Sequence, residues 1–453
     1  MEVTKKVARF IVETDLENMP PEIVAIVKNA MIDTLGVALA GSLEPLGKIM
    51  STLVKKLGGV PVAGVIGHKV HTSSLNAALA NGSMTHALDY DDTSHSTQGH
   101  PSAVLIPVIL ALGEELKSSG REIIEAYALG EEVWAKIGRN LPQLAFEGWH
   151  PTAVLGTIGA AAAAAKLFGL NTEQTMMALG LAGSHSAGLI KNFGTMTKPF
   201  HAGNAARSGI MAAMLVREGV TATKNILEGD DGLPAIFSGE GTVDVLKMAD
   251  ELGNPFDLAR RGIMVKRYPS CYATARPLDA MLHLIDTYDI KPEEVEAVDC
   301  QVTPRSIKNC SYNEPKTGLE GKFSLQFVMA VALTDRKIGM AQFTDEKAND
   351  PVTKDLMNRV TARVHPDWVE GQSTEARPDV VIVKLKNGKE YSHGVSMAKG
   401  HGRSPLTREE LLTKYRDCAK LVLGDKDTER CIELIDGLEE LKDITELMHI
   451  VVD

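Results

Sequence analysis

Between Gly159 and Lys166 the chain carries six consecutive alanines, in the stretch GTIGAAAAAAKLFGL. Alanine is the best helix former and offers a strand almost nothing to pack. The run therefore predicts a helix whose neighbours approach to backbone distance, and such a helix belongs in the middle of a bundle. The rest of the first half agrees. Ile23, Val24, Val27, Met31, Leu35 and Ala38 recur at three- and four-residue steps behind Pro20 and Pro21, which is helical spacing with a start signal. Similar patterns predict helices over 74–88, 103–116, 121–137, 154–168, 172–187 and 205–217. Gly is frequent at 40 residues and aromatics make up only 5%, which favours close helix packing over aromatic-lined surfaces.

Past residue 262 the pattern changes. Residues 295–302, VEAVDCQV, alternate, and 380–385 followed by Asn387-Gly388 and 389–396 form a hairpin signal with a type I′ turn expected. Helical patterns at 324–333 and 351–362 lie between them, and after Ser404-Pro405 a helical pattern returns. The expected fold is mainly α. A large all-helical domain is built from 1–262 and from a C-terminal return at 397–453, and a smaller α+β domain is inserted at 263–396. At 453 residues the chain exceeds what one core serves, so two domains are expected.

A net charge of -11 with no basic run argues against nucleic acid as a partner. Apolar runs such as 103–113 fall short of a membrane span, and the N-terminus lacks a cleavable leader pattern. A soluble, cytoplasmic protein is expected. Cys271, Cys300, Cys310, Cys418 and Cys431 show no C-x-x-C spacing, which fits reduced thiols better than a disulfide framework, zinc or iron–sulfur site.

The stretch ALDYDDTSH, 87–95, places three carboxylates within four residues. Asp89-x-Asp91-x-Thr93 matches a phosphatase nucleophile motif, but that motif follows a strand, and SSLNAALANGSMTHAL is helical. Asp89-x-Asp91-Asp92 matches the acid motif of class II terpene cyclases, which need aromatic faces that this chain lacks. A metal site with His95 and His100, and a plain polar turn, remain as alternatives. If the helix from 74 continues, His86, Asp89 and Thr93 share one face and Asp91 turns away.

Further segments narrow the choice: GHPSAVLIPVILALGE, GWHPTAVLGTIG, GTMTKPFHAGNAARSG, KRYPSCYATARPLDAML, TGLEGKFSLQF and GRSPLTREELLTKYRDCA. Together with HALDYDD these resemble the MmgE/PrpD family of 2-methylcitrate dehydratases, cis-aconitate decarboxylases and iminodisuccinate epimerases, over essentially the whole chain. The resemblance implies a helical domain with the inserted domain as a lid, an active site in the cleft between them, a homodimer, and neither metal nor organic cofactor. It places the family's site residues on Asp89, Thr93, His100, His150 and Lys198. One position departs: where family members often carry Thr-His in the lid motif, this chain reads Thr274-Ala275-Arg276.

Family substrates are small polycarboxylates reacting next to a carboxylate, where a buried cation stabilises the developing charge. Lys198 is expected to be that cation and His100 the general acid or base. His150 is a second proton-transfer group, and Asp89 orients His100 or Lys198. Thr93, Arg276 and Arg403 are expected to bind substrate, the arginines as carboxylate clamps. His86, His95, His185 and His201 read as supporting residues. The expected activity is dehydration of a 2-methylcitrate-like hydroxy acid. The alternatives are epimerisation or isomerisation of a small dicarboxylate, decarboxylation of the cis-aconitate type, and non-catalytic polycarboxylate binding.

Overall fold

A computed structural model describes residues 2–238, 243–372 and 376–452. The fold is mainly α, 59% helical and 9% strand. The first nine helices are α1 (Val3–Glu13), α2 (Glu22–Ser42), α3 (Pro45–Leu57), α4 (Ser74–Ala87), α5 (Pro101–Leu116), α6 (Gly120–Arg139), α7 (Pro151–Leu167), α8 (Thr172–His185) and α9 (Thr197–Arg217). A short antiparallel ribbon, β1 (Ala63–Val65) and β2 (Val70–Thr72), interrupts them, a strand pair that the helical spacing gave no sign of.

The chain divides into two compact units. The first comprises 1–192, 196–265 and 407–453, and the second 193–195 and 266–406. The return to the first unit thus comes ten residues later than the expected 397. Ala398 packs in the second unit's core, and Lys399 N donates to Asp279 Oδ2 at 2.9 Å. Residues 193–195 join the second unit because Tyr312 OH donates to Phe193 O at 2.9 Å.

In the first unit α4, α5 and α7 are buried almost all round, as the alanine run requires. α2 is long and apolar enough to cross a membrane, but most of it is buried in this core. The buried polar groups of α4 are satisfied locally: Ser83 and Thr85 hydroxyls donate to Leu79 O and Asn81 O at 2.8 Å, and Asn81 bridges Gly64 O and Ile66 N at 3.0 Å. That lets a helix with His86 near its end run through an apolar core.

α4 packs on α9, and the contact is made by glycines. A Cβ at Gly203 would lie 2.1 Å from Leu79 O, and one at Gly82 would lie 2.7 Å from Gly203 Cα. The first distance is inside backbone van der Waals contact and no side chain can move to relieve it. This approach brings the start of α9, with Lys198 and His201, against the end of α4, with His86.

In the second unit β3 (Val295–Val302), β4 (Val360–Val364), β5 (Asp379–Leu385) and β6 (Glu390–Val395) form one sheet in the order β4-β3-β5-β6. β3 and β4 are parallel and the other pairs antiparallel. The helices Ala275–Tyr288 and Leu325–Asp335 share its core. β4 corrects the helix expected through 362: the helix stops at Met357 and the β-branched Val360-Thr361 starts a strand. The hairpin turn also differs. Gly388 alone has a positive φ, 83°, and its N–H donates to Leu385 O at 2.9 Å, a three-residue loop closed by a left-handed glycine and not a type I′ turn.

Gly203→Ala is expected to destabilise the protein by about 1–3 kcal/mol, read as a lower urea midpoint. An unchanged midpoint would contradict the close approach of α4 and α9.

Candidate active site

The helix α4 does not continue through ALDYDDTSH. It ends at Ala87, and Asp89 takes a left-handed conformation with φ 50°, which aspartate tolerates better than most residues. The helical-face argument for Asp89 and Thr93 therefore fails, and with it the demotion of Asp91. Instead the chain turns sharply, and Lys414, on the C-terminal helix Arg408–Ala419, braces the turn. Lys414 Nζ donates to Tyr90 O at 2.8 Å, pairs with Asp33 Oδ1 at 2.7 Å and lies 3.9 Å over the Tyr90 ring. Asp89 and Asp91, on either side of Tyr90, both face inward and are buried.

Three further site residues arrive by one local device. His100-Pro101, His150-Pro151 and Lys198-Pro199 each open a helix: the two histidines are the N-cap residues of α5 and α7, and Lys198 is the second residue of α9. Proline suits a first helical turn because its missing N–H would be unpaired there anyway. Each x-Pro pair thus stops the chain with a functional side chain at a helix mouth.

At the centre lies Lys198 Nζ, 2.8 Å from Asp89 Oδ2 and 2.9 Å from His86 Nε2, and only 3% of Lys198 is exposed. An ammonium only donates, so His86 Nε2 must accept and the His86 proton sits on Nδ1. That nitrogen is 2.9 Å from both Asp91 oxygens. His100 Nδ1 is 2.7 Å from the Asp92 carbonyl, which only accepts, and 3.1 Å from Asp91 Oδ2. His100 therefore also carries a proton on Nδ1. Its side chain is 13% exposed where that of His86 is 0%, so His100 is the more accessible of the two rings. His150 Nδ1 lies 3.1 Å from His201 Nδ1, and the His150 ring stacks 6.1 Å from that of His86.

The charges follow from these contacts. Burial, joined by Lys198 and His100 and opposed by Asp91, pushes the His86 pKa down to about 3. Burial and Lys198 hold His150 well below the usual imidazole range and His201 at about 4. Burial would raise Asp91, but the charge interaction with His86 and His100, and then their hydrogen bonds, overcome it and hold Asp91 well below its ordinary value. His86, His150 and His201 are thus neutral imidazoles around one ammonium.

His86, Asp89, Asp91 and His100 also bring ligand atoms within 4.8 Å of one another, the spacing of a metal site. The ammonium of Lys198 already lies among them, so a divalent ion would meet a positive charge about 3 Å away, a repulsion on the order of 10 kcal/mol even at an effective dielectric of 20. The donor set fits an ammonium better than a metal.

Of the residues singled out from the sequence, Asp89, His100, His150 and Lys198 gather here. The Thr93 hydroxyl donates to Gly99 O at 2.8 Å, and its backbone pairs with Met264, so its first role is to close the 93–99 loop. Arg276 and Arg403 belong to the second unit. Arg276 is corrected: its fork grips Asp379 at 2.9 and 2.7 Å, and Nη1 donates to Arg377 O and Ser396 O. The carboxylate it clamps is the protein's own. Arg403 is exposed in the turn closed by His401 and Ser404. The sequence reading missed His86 and Asp91 as site members, together with Lys414. No local pattern marks Lys414, whereas two histidines fourteen residues apart around three aspartates did mark the first two.

Removing Lys198 removes a positive charge that disfavours imidazolium and leaves Asp89 to favour it. Lys198→Met is therefore expected to raise the pKa of His150 and His201, read by NMR titration of the ring resonances. Unmoved titrations would contradict the electrostatics described.

Two domain comparisons cover most of the chain: residues 5–246 match the MmgE/PrpD N-terminal domain and 268–440 the MmgE/PrpD C-terminal domain. Among curated proteins, the cis-aconitate decarboxylase of Homo sapiens is 28% identical over 461 residues, 98% of this chain and 93% of that protein. The Mus musculus enzyme of the same name is 28% identical over 99% of this chain and 93% of its own length, and that of Aspergillus terreus 25% over 99% and 95%. With both halves matched in order, the chain belongs to the MmgE/PrpD family.

Proposed function

We propose that the protein is a lyase acting on a small hydroxy polycarboxylate of the 2-methylcitrate kind, removing a proton next to a carboxylate and expelling water. The observation that carries this reading is Lys198, a buried ammonium held at 2.8 Å by Asp89 and at 2.9 Å by His86 Nε2, with the basic nitrogen of His100 in the same cluster. Negative charge building on a substrate carboxylate is stabilised where a preorganised cation sits in a water-poor site. His100 Nε2 takes the proton from carbon, Asp91 and the Asp92 carbonyl stabilise the imidazolium through Nδ1, and the C–O bond breaks. The same His100 returns the proton to the departing hydroxyl, which leaves as water. Because one group serves as base and then acid, the elimination is syn. His150 is kept neutral and serves best as a hydrogen-bonding partner of the substrate, oriented by His201.

A second reading is supported by the relatives, which carry the name cis-aconitate decarboxylase. There CO2 leaves in place of water, and the same ammonium stabilises the same kind of charge. A proton-transfer group beside the ammonium suits a reaction that begins with proton abstraction, and we put dehydration first on that ground.

Purified protein is incubated with 2-methylcitrate, citrate and cis-aconitate in H2O and D2O. Absorbance from a new conjugated double bond without CO2 release is the expected result. CO2 release would favour the second reading. Solvent deuterium exchange without net product would point to an epimerase, and saturable binding with neither turnover nor exchange would leave a binding protein. Lys198→Ala is expected to lower turnover by roughly 100- to 1,000-fold; unchanged turnover would contradict the role of the ammonium.

A further inference from the structure

Asp92 takes no part in the chemistry above through its side chain, yet that side chain is fully buried next to the carboxylate that holds His86 and His100. It meets Ser102, two residues beyond His100 in the first turn of α5. Ser102 N donates to Oδ1 at 3.2 Å, and Ser102 Oγ is hydrogen-bonded to Oδ2. Ser102 Oγ lies 2.7 Å from Tyr127 OH on α6, and Ser102 and Tyr127 are themselves fully buried. The backbone of the same residue turns the other way, its carbonyl accepting from His100 Nδ1 at 2.7 Å. Residue 92 thus grips His100 by the ring and its helix by Ser102. The intervening loop is closed on itself by Thr93 Oγ1 and Ser94 N, which donate to Gly99 O at 2.8 and 2.9 Å.

Among the described residues no cation pairs with the Asp92 carboxyl, and the charged groups acting on it are the carboxylates of Asp33 and Asp91. Burial first, and then these neighbours, push its pKa up to about 8, against the opposing pull of Ser102. Its Oδ1 accepts from Ser102 N and its Oδ2 from Ser102 Oγ, which is itself hydrogen-bonded to Tyr127 OH.

We propose that Asp92 and Ser102 are positioning residues for His100, fixing through hydrogen bonds which ring nitrogen carries the proton and where Nε2 points. This rests on the reading of His100 as the proton-transfer group. Loosening the clasp frees the residue 92 carbonyl to move, so the ring loses its closest acceptor and samples the other tautomer. Asparagine offers one donor and one acceptor in the same shape and preserves the clasp without any charge.

The test uses full-length protein labelled with 15N at histidine, with the His100 signals assigned from their loss in His100→Asn. Wild type and Asp92→Asn are expected to show a single Nδ1–H tautomer at His100, and Asp92→Ala and Ser102→Ala a mixture. With whichever polycarboxylate is turned over, Asp92→Ala and Ser102→Ala are expected to lose roughly 100-fold in kcat with little change in KM, and Asp92→Asn to return to within a few fold of wild type. The proposal is overturned if the His100 signals are unchanged in Ser102→Ala, or if Asp92→Asn behaves like Asp92→Ala. Ser102→Ala removes a single oxygen and decides the matter should Asp92→Ala fail to fold. The ring signals decide it even if none of the proposed substrates is turned over.

Discussion

An ammonium buried in a helical core is tolerable only with a counter-charge at contact distance, and most of the first unit's local structure serves that need at Lys198. Lys198 lies in the first turn of α9, where the helix dipole presents its positive end and a cation is disfavoured. Asp89 answers at 2.8 Å. To reach that place Asp89 adopts a left-handed backbone, which costs about 1–2 kcal/mol. Leaving one partner of a buried pair alone costs about 3–5 kcal/mol, so the pair outweighs the strain. The glycine contact between α4 and α9 and the Lys414 brace on Tyr90 hold both partners to this arrangement.

The same ammonium sorts the protons around it. It forces His86 to accept at Nε2, which puts the His86 proton on Nδ1 facing Asp91. Asp91 can then remain a buried carboxylate because two imidazole N–H groups point at it. One residue further on, among the described residues, Asp92 accepts from the backbone N–H and the hydroxyl of Ser102, and burial pushes its pKa up to about 8. The pKa values of two adjacent aspartates are thus pushed in opposite directions by their surroundings.

Much of this was legible from sequence for identifiable reasons. The alanine run marked a central helix because alanine is the best helix former, and the family resemblance marked His100, His150 and Lys198, each followed by a proline in the first turn of a helix. The alternation of 295–302 is a strand of the same bounds. What failed was extrapolation through a boundary. Helical spacing run past Ala87 turned Asp91 away, and helical spacing run past Met357 hid a strand. Both boundaries are set by contacts distant in sequence: Lys414 on Tyr90 in one case, and pairing of Val360–Val364 with Val298–Val302 in the other. Arg276 was readable as an arginine awaiting a carboxylate, but which carboxylate depends on β5, a hundred residues away.

On the proposed reading the cation of this site is the Lys198 ammonium, and substrate charge gathers on it. A crystal structure with a bound, unreactive tricarboxylate, collected with anomalous data for divalent ions, tests it most directly. A ligand carboxylate is expected at hydrogen-bonding distance from Lys198 Nζ, with the carbon next to it facing His100 Nε2. An anomalous peak among His86, Asp89, Asp91 and His100, with Lys198 displaced, would contradict it.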